Sequence, residues 1–133
     1  MRKQYHFRQS ERGLIAWDVH RLIELSSGLP VHRIPLESIS ELDEVFWYDL
    51  EGDRPTCRSV ALHARLMEEV DLAHPIILSS DGRVMDGMHR VCRALVLGLD
   101  SVPAVRFPSD PDPDHVGVAP DELPYDEEQS FDR

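Results

Sequence analysis

Five residues, Asp86-Gly87-Met88-His89-Arg90, constrain this chain more than any others. They join a strand predicted at residues 83–85 to an apolar helix predicted over 88–98, and they put cations where a helix favours anions. The first backbone N–H groups of a helix have no partner within it, and with the macrodipole they make its N-terminus locally positive. Arg90 and Arg93, with His89, add to that charge unless something negative sits there. A bound phosphate resolves the conflict. Gly87 suits one, because a residue without Cβ takes positive φ and lets a ligand approach the main chain. The plainer alternative is a turn in which the Asp86 carboxylate caps the helix and the arginines pair with surface acids. Local sequence leaves both open.

A chain of 133 residues holds one ordinary domain with a real core, and the alternation of predicted strands and helices makes it a single α/β unit. No stretch approaches the roughly 18 apolar residues of a membrane helix, and the polar start, Met1-Arg2-Lys3-Gln4-Tyr5-His6, lacks the apolar region of a secretory signal. A cytoplasmic protein is expected. Cys57 and Cys92 show neither a disulfide framework nor a paired-cysteine motif, and read as free thiols. The net charge of −11 is uneven: residues 109–133 hold nine acids against Arg133, so −8 sits there and −3 on residues 1–108. Sequence-independent DNA binding needs a broad basic face, which a mildly acidic body does not offer. Arg2, Lys3, Arg8 and Arg12 fall on what reads as a loose terminus.

Along the chain, Leu14, Ile15, Trp17, Leu22 and Leu25 stand near helical spacing, so an amphipathic helix is predicted over 13–26, stopped by Gly28-Leu29-Pro30. A short strand follows at 31–35, then the run Val45-Phe46-Trp47-Tyr48 and a turn at 51–55. A second helix is predicted over 59–70, a buried strand at 75–78, an Asp81-Gly82 hairpin turn and a last strand at 102–107. The prolines and acids after Pro108 read as a disordered or loosely docked tail. Three parts result: an N-terminal extension (1–30), a central domain (31–108) and the tail (109–133).

The order of these elements, with Pro75-Ile76-Ile77-Leu78, Asp81-Gly82, Asp86-Gly87-Met88-His89-Arg90-Val91-Cys92-Arg93-Ala94, Leu97-Gly98-Leu99-Asp100 and Val102-Pro103, resembles the ParB/sulfiredoxin superfamily. The resemblance covers residues 31–108. It implies an α+β fold with a mixed sheet of about four strands packed with helices. It also implies that the turn holds nucleotide phosphates: Gly87, Met88, His89, Arg90 and Arg93 would bind ATP, ADP or CTP, with Ser59 and His63 near the nucleotide. Arg93 is open between phosphate and an outward salt bridge. Met88 stands where sulfiredoxin has its nucleophilic cysteine, and a thioether forms no thiolate, so sulfiredoxin chemistry is not expected. ParB proteins carry a DNA-reading helix-turn-helix after this module, and here an acidic tail follows instead.

Asp-Gly-x-His-Arg is also similar to the turn of free-serine kinases, ParB-like enzymes that move a phosphoryl group to a small hydroxyl substrate. That likeness implies a base at Glu44, with Glu41 and Asp43 as substitutes, and Asp86 as a catalytic residue or Mg²⁺ ligand. The alternative is a non-catalytic or slowly hydrolysing nucleotide-responsive module that binds a protein partner. Trp17, Phe46, Trp47 and Tyr48 read as core or lid packing rather than a base-stacking platform. His6, His20, His32, His74 and His115 show no zinc-ligand spacing.

Overall fold

The computed structural model describes residues 4–48 and 54–125, and its first element is a hairpin where a loose terminus and a helix were expected. Tyr5–Ser10 forms strand β1 and Gly13–Asp18 forms β2, paired antiparallel from Tyr5 opposite Asp18 to Ser10 opposite Gly13. The helix predicted over 13–26 is thereby corrected to a strand followed by helix α1, Val19–Ser26. Ile15, Ala16 and Trp17 are buried in succession, and β-branched and aromatic side chains favour the extended form once a partner strand is available. The change of state falls at Asp18, whose carboxylate accepts the His20 N–H at 2.9 Å and caps α1.

Then come β3 (His32–Pro35), two 3-10 turns (Leu36–Ser38 and Ser40–Asp43), α2 (Cys57–Glu69), β4 (Ile76–Leu78), β5 (Val84–Asp86), α3 (Met88–Val96), β6 (Ser101–Arg106) and β7 (His115–Val116). The expected turn at 51–55 lies mostly outside the described residues. The architecture is α+β. A four-stranded mixed sheet has the order β3-β6-β4-β5, with β4 and β6 parallel and the other pairs antiparallel. A second, antiparallel sheet of order β1-β2-β7 was not foreseen.

The two faces of β4 explain its unbroken apolar run. Ile76 and Leu78 pack with Met88, Val91 and Ala94 of α3, whereas Ile77 points the other way, to Trp17, Leu22, Met85 and Val105. A strand covered on both faces has no reason to alternate. α3 ends at Val96, just short of the predicted stop at Gly98, whose φ of +75° lets the Leu99 N–H reach back to the Ala94 carbonyl at 2.9 Å.

The expectation of a disordered or loosely docked tail is corrected for residues 110–125. The Asp114 carboxylate accepts the Asp18 N–H at 2.8 Å and pairs with Arg21 at 2.9 Å, and the Asp110 carboxylate accepts the Ser80 N–H at 2.7 Å. β7 joins β2, and Leu123 is buried. These acids are hydrogen-bond acceptors at fixed positions rather than solvated charge. Among the described residues no helix is long and apolar enough to cross a membrane.

Candidate functional site

Gly87 is the N-cap of α3 and holds φ +111°, ψ 18°, with no side-chain cap on the helix. A Cβ there would stand 2.6 Å from Ile76 Cγ2 and 2.7 Å from Arg90 Nη2. Only glycine meets both conditions. The Arg90 and Val91 N–H groups turn back to the Gly87 carbonyl at 3.0 and 3.1 Å, while those of Met88 and His89 have no acceptor among the described residues. They border a cavity of about 420 Å³ whose walls include Tyr5, His6, Phe46, Trp47 and the turn itself.

Asp86 does not cap the helix. Its Oδ2 accepts from Arg90 Nη2 at 2.9 Å, one helical turn away, and the pair is almost wholly withdrawn from water. Arg90 Nη1 reaches towards the His74 carbonyl at 3.5 Å. The alternative in which Asp86 caps the helix is not realised, and Arg90, expected on phosphate, is here paired with Asp86: charges withdrawn from water need opposite partners, and these two residues supply each other. Arg93, left open between phosphate and an outward salt bridge, makes no salt bridge among the described residues and turns to α2. Its Nη1 donates to the Met67 carbonyl at 3.2 Å and to that of Glu68, in the last turn of α2, where free carbonyls favour a cation. The Met88 side chain is core, 5% exposed.

His89 meets His63 from α2, with Nε2 2.8 Å from Nδ1 of His63. Trp47 stacks on both rings, with centroids 4.6 Å from His89 and 4.2 Å from His63. Burial, then His63 and Arg90, lowers His89 from 6.5 to about 4 against the pull of Asp86. Ser59 sits one layer out, donating from Oγ to the Tyr48 hydroxyl at 3.2 Å, and its N–H is capped by Thr56. It does not line the cavity.

Glu44 does not face the Gly87 turn. It forms a two-pronged, exposed ion pair with Arg83 at 2.7 and 3.2 Å, which holds its carboxyl below the usual range. It lines a second cavity, of about 790 Å³, with Asp43, Arg8 and Arg83. The two cavities share Tyr5, His6, Phe46 and Trp47. Glu41, the substitute base, is 2% exposed and accepts the Val84 N–H at 2.6 Å, closing the free edge of β5.

His6 and Trp47 are the site residues that sequence reasoning missed. His6 projects from β1 against Trp17, and its Nε2 is buried with no partner among the described residues. Burial, then Arg8 and Arg83, lowers it from 6.5 to about 4. No local signal marks it, because His6 reaches the site only through the pairing of residues 5–10 with 13–18. Among the described residues no three histidine, cysteine or carboxylate side chains gather in a metal-binding group. No family model, curated protein or solved structure matches the chain.

Proposed function

We propose that the protein is a phosphate-binding, nucleotide-responsive domain of the ParB/sulfiredoxin-like kind, whose output is a change in its own order rather than phosphoryl transfer. The observation that carries this reading is the pair of Met88 and His89 N–H groups without acceptors among the described residues, at a left-handed glycine cap that borders an aromatic-walled cavity. Two convergent N–H groups at a helix N-terminus recognise an oxyanion. The cavity of about 420 Å³ has the size of a small-molecule pocket, and Tyr5, Phe46 and Trp47 offer apolar surface to a base or ribose.

Thermal melting with ATP, ADP, CTP and GTP, each with and without Mg²⁺, tests it. A ligand present at about 100 times its Kd adds about 2.7 kcal/mol to the folded state. At least one nucleotide is expected to raise Tm, and the matching nucleoside without phosphate is not. Gly87→Ala forces a side chain into Ile76 and strains φ, so a folded variant is expected to lose the nucleotide response. Stabilisation by the nucleoside alone, or by no nucleotide, overturns the reading.

A phosphotransferase acting on a small hydroxyl substrate has one observation in its favour: the second cavity adjoins the first and carries Glu44. A carboxylate already bound by Arg83 is a weak proton acceptor. With ATP, Mg²⁺ and a panel of hydroxyl amino acids and sugars, mass spectrometry is expected to find no phosphorylated acceptor. Transfer that falls by about 10²–10⁴ in Glu44→Gln would reinstate the enzyme.

A further inference from the structure

Arg90 lines the cavity with its charge matched by Asp86, and Arg93 turns to the end of α2, so neither arginine brings the turn an unmatched positive charge. What stands beside the turn's N–H groups is the His89 imidazole, which lines the cavity and is joined behind it to His63, a residue that does not line it. The rings of His63 and His89 lie within 18° of parallel with centroids 5.1 Å apart, and the Trp47 indole stacks within 21° of each. Rings on opposite faces of an indole would be separated by both stacking distances, so the two imidazoles lie side by side on one face. Whichever nitrogen donates across the 2.8 Å contact, two neutral imidazoles joined by one hydrogen bond keep one outer N–H and one outer lone pair. One added proton makes the inner bond charge-assisted. A second would set two N–H groups and two cations against each other, so the pair takes one.

Building on the reading of the Gly87 turn as an anion pocket, we propose that His63 and His89 act as a single proton-accepting site that charges when a doubly negative oxyanion enters the turn. The surroundings favour this arrangement. Asp86 of β5 stabilises the charged form, Arg90 of α3 opposes it, and Tyr48 packs edge-on to His63 at 5.8 Å. On β1, His6 lines the same cavity and is itself held neutral. Without an anion the balance keeps His89 neutral down to a pKa of about 4, and a nearby dianion reverses it. The complex then binds more protons than the free protein, so affinity rises as pH falls from neutral, by at most about tenfold per pH unit.

Sulfate is the probe, because it keeps its double charge across the range in which histidines titrate. Titration calorimetry between about pH 5 and 7.5, in buffers of differing ionisation heat, counts the protons. Uptake approaching one proton per sulfate is expected, lost in His89→Gln, which keeps the backbone N–H and binds with a pH-independent affinity. Ring signals of His63 and His89 in the wild-type protein, followed by NMR, give a measurement without a variant: one coupled titration moves to higher pH with sulfate. Sulfate bound without proton uptake overturns the proton site and leaves the anion pocket standing. Undiminished uptake in folded His89→Gln also overturns it. No sulfate binding by the wild type overturns both.

Discussion

With 4% of its surface exposed, Arg90 holds the Asp86 carboxylate at 2.9 Å across the Gly87 turn. Arg90→Ala removes the ion-pair partner of a largely buried carboxylate, a change that costs up to about 3–5 kcal/mol of stability. Removing Asp86 in the same chain is expected to return part of that loss, which urea unfolding of the single and double variants measures. Equal stability of Arg90→Ala and wild type would show the pair to be idle. His6 sets a second residue-scale expectation. Its folded pKa of about 4 lies below the unfolded value of 6.5, so between those values the unfolded chain holds more protons and stability falls as pH falls. The loss approaches about 3 kcal/mol at the bottom of that window. His6→Phe keeps an aromatic ring against Trp17 and cannot charge, so its unfolding free energy is expected to change less between pH 7 and 4.5 than that of the wild type. An unchanged slope would place the acid sensitivity elsewhere.

At the scale of elements, sequence was most informative where local chemistry and tertiary context agree. α2, β3, β4, the Asp81-Gly82 turn, α3 and β6 fall near the predicted positions, because a buried strand, a capped helix and a glycine stop are specified within a few residues. The hairpin was hidden, since β1 and β2 make sense only as a pair: each half alone reads as a polar terminus or as one turn of a helix. The 110–125 segment was hidden for the same reason, its acids being matched to Asp18, Arg21 and Ser80 far back in the chain. Truncation after Ser109 therefore removes the burial of Leu123, about 1.5–3 kcal/mol, together with several hydrogen bonds of about 1 kcal/mol each. A clear drop in melting temperature is expected on truncation there. An unchanged melt would mean that β7 and the Asp114 contacts contribute nothing.

Across the whole molecule, the candidate site lies where the two sheets approach each other. Its walls come from β1 of the three-stranded sheet, from β5 and α3 beside the four-stranded one, and from Phe46 and Trp47 in the connection between β3 and α2. The glycine turn was legible in five consecutive residues. The rest of the site was not, because Tyr5, His6 and Trp47 reach it only through the fold, and the roles given to Arg90, Arg93 and Glu44 were decided by partners that no local motif encodes. A ligand in this cavity touches elements that are distant in sequence, so its binding energy opposes their separation. Saturating nucleotide is expected to slow amide hydrogen exchange in β1, as well as at the start of α3. β3, at the far edge of the four-stranded sheet, is expected to change least. Hydrogen exchange followed by mass spectrometry reads all three segments in one experiment. Protection confined to α3 would show that the hairpin is no part of the binding wall, and would reduce the site to an anion-binding helix end.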